Sequence, residues 1–218
     1  MPDELPVKLF LTRVDETFDP ETDIILGPWC LIESFEKFTS WKKLDFYDPF
    51  ASHEDITEAT ENIAVLTSYY VSKLGHDLNQ EHGTDHKTDF WWPLLVFWLI
   101  QIISASWSRW VQIEQTVTRL KGQTIQAHVL DKPEFRTWDF ENTRDSILNG
   151  LRKPSFDFWI NSFILKNLAP DHWHLLPSET DYTQEKNTEQ YTVYPVVHWS
   201  SRIKSKVRRI LGHLAISD

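Results

Sequence analysis

The sequence predicts an α/β fold: a Rossmann-like lobe with a mostly parallel sheet, a long apolar Trp-rich helix and a C-terminal amphipathic helix. Three observations predict it. Two short apolar runs, Val7–Leu11 and Ile24–Leu26, stop at turn-forming groups, the pattern of strands buried on both faces. Segments with apolar residues three and four apart then alternate with further short apolar runs, which favours layered α/β architecture. Between them lies a stretch of nineteen residues, Phe90–Ser108, that carries no charge.

The first run ends at Thr12-Arg13 and the second at Gly27-Pro28-Trp29-Cys30. Gly27 leaves room for a turn and Pro28 fixes the exit. Ligands of open α/β sheets bind just beyond the carboxyl ends of such strands. Leu44–Tyr47 is expected as a third strand. His53 to Asn79 reads as a helix, with Ile56, Ala59, Ile63, Leu66, Tyr70 and Leu74 on one face. Its end is expected at Gly75 or, a turn later, at Asn79 and Gly83.

Phe90–Ser108 approaches the length of a membrane span. Yet Gln101, Ser104, Ser108, Gln112 and Gln115 recur at helical steps and form a polar stripe. A helix buried on most sides and running to about Lys121 is therefore expected, with Asp89 as its cap and Pro93 in its first turn. Thr124–Leu130 is a further strand. Phe140–Leu151 and Ser155–Leu168 are helices broken at Pro154. Ser178–Gln190 is a polar loop and Tyr191–Val197 a late strand. In Ser200–Leu214, Ile203, Val207, Ile210, Leu211 and Leu214 share one face and basic residues take the other.

Composition narrows the function. The 218 residues are 41% hydrophobic and include eleven Trp, ample material for a core. The net charge of −10 arises in residues 1–62, where fifteen acids face five bases, and the remainder balances. An acidic chain lacks the basic face that nucleic-acid binding needs. With one cysteine, Cys30, there is no intramolecular disulfide and no multi-cysteine zinc site. The amino terminus has no basic or apolar leader region, so a cytoplasmic setting is expected. The basic face of Ser200–Leu214 suits peripheral contact with an anionic membrane, docking on the acidic N-terminal part, or a lead into a further domain.

P-loop, Gly-x-Gly-x-x-Gly, Gly-x-Ser-x-Gly and His-Glu-x-x-His motifs are missing. Smaller constellations remain. After the first strand, Arg13 can grip a phosphate or carboxylate and Glu16 can act as a general base, or the segment is a solvated capping loop. Trp29 is a stacking platform or a plug at the sheet edge; Cys30 is a nucleophile or a buried small hydrophobe. His82 and His86 have the i,i+4 spacing of metal ligands, but Gly83 interrupts the helix between them. Asn79 and His82 then point into a cleft at a helix end, or merely cap it. His172-x-His174 follows Pro170 and is expected in a surface loop.

Taken in order, four blocks carry a family resemblance. They are Leu11-Thr12 with Glu16-Thr17-Phe18, Leu26-Gly27-Pro28-Trp29-Cys30, Leu78-Asn79-x-x-His82-Gly83, and Phe90-Trp91 opening the apolar helix. Together they resemble the N-terminal part of a transferase family associated with O-antigen and other surface-polysaccharide gene clusters. The resemblance implies a two-lobed, glycosyltransferase-like enzyme acting on an activated sugar and a glycan or lipid-linked acceptor. This chain would form its N-terminal, acceptor-side lobe, with residues 1–199 as one domain and 200–218 as a basic tail. It implies Glu16 and His82 as catalytic residues, and Thr12, Arg13, Gly27, Trp29, Cys30 and Asn79 as substrate-binding residues. Neither metal nor cofactor is implied. Pro28 and Trp92 stand where the family usually shows an acid and an arginine. A non-catalytic glycan-binding or protein-interaction module is the competing expectation.

Overall fold

The computed structural model describes residues 6–31, 46–131 and 154–178. It is a mixed α/β protein with two compact units.

The first unit is built on a four-stranded, wholly parallel sheet of order β2-β1-β3-β4: β1 (Val7–Phe10), β2 (Ile24–Ile25), β3 (Ile125–Val129) and β4 (His174–Pro177). The chain leaves β1 to one side for β2, and later sets β3 on the other side. The junction of β1 and β3 is thus a topological switch point, where open α/β sheets form a crevice. Helix α3 (Pro154–Leu168) packs on β3. Leu9, Ile125, Ala127 and Val129 are buried on one face of the sheet, as alternation along a strand requires.

The other face is more open than the sequence predicts. Lys8 pairs with Gln126 and Gln126 with His174, so the three share that face, followed by His128 beside Leu176. The opening strands are therefore buried on one side, and Lys8 and Phe10 on the other side are only half-buried. β4 replaces the loop expected around His174; Pro170 ends α3 one turn earlier and the chain is already extended by His174. Phe46 and Tyr47, the described half of the third expected strand, lie outside the sheet.

The second unit contains α1 (His53–His82) and the first part of α2 (Thr88–Leu120), which continues into the first unit. Ser52 and Asp55 form a capping box: the Ser52 hydroxyl accepts from the Asp55 N–H at 3.1 Å, and the Asp55 carboxylate accepts from the Ser52 N–H at 3.0 Å. α1 runs through Gly75 because that glycine faces the neighbouring helix, where a Cβ would meet the Trp91 indole at 2.7 Å. It stops at Gly83, whose φ of 63° is the left-handed conformation glycine adopts at little steric cost. Ala59, Ile63, Tyr70, Val71 and Leu74 meet Trp91, Leu95, Trp98, Leu99, Ile102 and Ile103 in one core.

α2 starts at Thr88, so Asp89 lies in its first turn instead of capping it, and Pro93 falls inside the helix, just past that turn. By length and composition α2 is apolar enough to cross a membrane, with a mean hydropathy of 1.5 in its most apolar window, of which 33% is buried. It is less covered than expected: Phe90, Leu94 and Phe97 are exposed. The expected helix at 140–151, strand at 191–197 and helix at 200–214 lie outside the described residues.

Candidate functional site

A cavity of about 570 Å³ opens along the half-exposed sheet face and the carboxyl ends of its strands. Thr12, Arg13, Asp15 and Thr17 line it from the segment after β1, Gln126 and His128 from β3, Leu176 and Pro177 from β4 with Ser178 just after it, and Phe158 from α3. Thr12 and Arg13 therefore stand where the strand-end argument places them.

The segment after β1 is shaped by its own side chains. Asp15 Oδ1 accepts from the Thr17 N–H at 2.7 Å and the Thr17 hydroxyl at 2.6 Å, a turn that mimics a backbone turn. Lys8 Nζ donates to the Thr17 carbonyl and hydroxyl oxygen, each at 3.1 Å, and ties this turn to β1. Asp23 fixes the far side, its carboxylate accepting from the Lys8 and Asp19 N–H groups. Glu16 sits exposed at the turn, and its two neighbours, not Glu16, line the cavity.

Buried amides and a hydroxyl hold the strand ends from below. Asn161 Nδ2 donates to the Leu11 carbonyl at 2.8 Å, and the Ser162 hydroxyl accepts from the Leu130 N–H at 3.1 Å. Two successive residues of α3 thus grip both sides of the switch point. Gln112, the one member of the expected polar stripe to be fully enclosed, donates to the carbonyls of Leu26 and Tyr47 at 2.7 and 2.9 Å.

The Gly27–Cys30 block forms a packed plug beside this edge. Gly27 is needed for space rather than for φ: a Cβ there would overlap the six-membered ring of Trp29. The Arg109 guanidinium lies 4.3 Å from the Trp29 ring centre. Arg109 also donates to Asp157 Oδ1 at 2.9 and 3.1 Å. Burial raises the Asp157 carboxyl above its usual range, and the Arg109 charge pulls it back in part. Cys30 is fully buried, and burial pushes its thiol up to about 12. At neutral pH it is a thiol rather than a nucleophilic thiolate.

Asn79 and His82 belong to the helical unit. Asn79 organises the turn between α1 and α2: its Oδ1 accepts from the Thr84 hydroxyl, the His86 N–H and the Trp91 indole N–H, and its Nδ2 donates to the His86 carbonyl. His82 closes α1 and is exposed. Gly83 separates it from His86, which stacks on Phe90 at 4.0 Å. Among the described residues no group of three or more His, Cys, Asp or Glu side chains is placed to hold a metal.

With a parallel sheet, a switch-point cavity and an ordered strand-end loop in place, comparison with known families decides the class. One family's sequence model matches residues 7–216. The chain belongs to the LIC12162 family of transferases. No curated protein and no solved structure matched it.

In this LIC12162 family member, sequence reasoning missed Lys8, Gln126, His128 and Ser178 as cavity residues and Asn161 as a strand-end clamp. Part of the signal was present. Strict alternation through Ile125–Val129 sets Gln126 and His128 on one face, opposite three apolar residues. β4, which brings Ser178 to the same wall, carried no comparable pattern.

Proposed function

We propose that this transferase moves a sugar from an activated donor to a glycan or lipid-linked acceptor in O-antigen or other surface-polysaccharide synthesis, with the switch-point cavity as a substrate site. The observation that carries the reading is the cavity itself. It lies at the carboxyl edge of a parallel sheet, with Arg13 and Lys8 on its wall. Two cations there offset charge on a leaving phosphate, and the Thr12 and Ser178 side chains add hydroxyls. The glycan class is supported by the order of the Thr12–Phe18, Leu26–Cys30, Asn79–Gly83 and Phe90-Trp91 blocks.

The test is calorimetry of the chain with a panel of nucleoside-diphosphate sugars and with polyprenyl-phosphate-linked glycans. Binding of one class, weakened at least tenfold in Arg13→Ala, supports the reading; binding of neither defeats it. The exposed apolar residues of α2 and the basic residues Arg202, Lys204, Lys206, Arg208 and Arg209 in the sequence favour work at the cytoplasmic surface of a membrane, where lipid-linked acceptors are held. Flotation with anionic vesicles, lost when 200–218 is removed, is the expected result.

A further inference from the structure

Transfer in the cavity needs a group that takes the proton of the acceptor hydroxyl, and the wall carries a side chain of that chemistry. The titratable side chains lining it are Lys8, Arg13, Asp15 and His128. An arginine stays charged, and a lysine ammonium already donating to Thr17 has no lone pair to offer. Asp15 has one carboxylate oxygen committed to two short bonds from Thr17, at 2.7 and 2.6 Å, which hold it in its own turn. Among the described residues His128 has no such commitment. It stands on the central strand β3, exposed on the open face, beside Gln126. Leu176, its partner in register, and Phe10, one residue beyond the Leu9–Ala127 pair, flank it with apolar surface. An imidazole can accept a proton at one ring nitrogen while donating from the other, which is what a general base for a hydroxyl requires.

We infer that His128 is the general base of the transfer, an assignment that rests on the cavity being the substrate site. As the acceptor hydroxyl oxygen bonds to the anomeric carbon of the donor, its proton passes to His128. The bond from that carbon to the donor phosphate oxygen breaks, and the phosphate departs with the electron pair towards Arg13 and Lys8. Glu16 does not line the cavity, and His82 belongs to the helical unit, so neither shares this wall.

The test uses the whole chain and whichever nucleoside-diphosphate sugar it binds by calorimetry. Water serves as acceptor, so that free sugar and nucleoside diphosphate are the products. His128→Gln is expected to keep its melting temperature and donor affinity and to lose about 10²-fold or more in kcat. Turnover undiminished in His128→Gln, or a loss that falls on Glu16→Gln or His82→Ala instead, overturns the assignment. A chain that binds a donor and never turns it over also overturns it, while leaving the cavity as a binding site. A chain that binds no donor removes the substrate site and the base together.

Discussion

Asn161 Nδ2 donates 2.8 Å to the carbonyl of Leu11, so a helix side chain fixes the point where the first strand ends and the cavity begins. Both groups are buried, and the second polar atom of that amide has no partner among the described residues. Replacing Asn161 by Leu keeps the branched shape and heavy-atom count of the side chain and leaves the Leu11 carbonyl without this donor. An unmet buried carbonyl costs about 1–3 kcal/mol, which chemical denaturation should register as an earlier midpoint at unchanged slope. A midpoint equal to wild type would show that the clamp contributes nothing to stability.

Gly27 and Trp29 compete for one volume. Gly27→Ala drives a methyl group into the indole, and overpacking of this kind costs about 1–3 kcal/mol. The cost should largely vanish when Trp29 is also shortened to Leu. A double-mutant cycle on denaturation midpoints measures it; additive losses in the two backgrounds would place the strain elsewhere.

Cys30 couples stability to alkaline pH. Its folded value near 12 lies above the ordinary 9.0, so the unfolded chain loses this proton first as pH rises. The contribution is whole below pH 9 and disappears between pH 9 and 12. Cys30→Ala should flatten that part of the stability profile relative to wild type. An aromatic disulfide reagent at pH 8 should label the thiol only after denaturant is added; prompt labelling of the native chain would contradict its burial.

Lys8 shapes the loop that carries Asp15 and Thr17. Lys8→Met removes both bonds to Thr17 and one positive charge from the cavity wall, while the strand keeps its register through backbone pairing. Stability should change little, since an exposed contact of this kind is worth about 1 kcal/mol or less. Affinity for a phosphate-bearing ligand should fall several-fold. Calorimetry beside a melting curve separates the two effects.

Much of this architecture was legible because periodicity reports burial. β1, β2 and β3 and the three helices announce themselves by apolar spacing, and Thr12 and Arg13 follow from their place after a strand. What stayed hidden depended on partners distant in sequence. β4 reads as a loop because it follows Pro170 so closely, and only pairing of His174 with Gln126 makes it a strand. Asn161 reads as an ordinary helix residue until Leu11, 150 positions away, comes under its amide. Gly27 suggested a backbone turn, whereas its constraint is the ring two residues later. Asn79 drew notice as a ligand residue, and the structure shows it meeting four groups of the α1–α2 turn.

The interleaved strand order has a consequence for the sequence of events during synthesis. β1 emerges early, yet its partner β3 follows it by more than a hundred residues, after the whole of α1 and α2. The helical hairpin between them is local and closes quickly; the sheet must wait for distant segments. Throughout that interval the hairpin is what keeps the nascent chain compact, and the early strands stay unpaired along β1's β3-facing edge. Pulse-labelled hydrogen exchange should find α1 and α2 amides protected before those of β1 and β3. The last pieces to lock are then α3, whose Asn161 and Ser162 close the edge that borders the cavity, and β4, which completes its wall, so the binding surface matures at the end of folding rather than at its beginning.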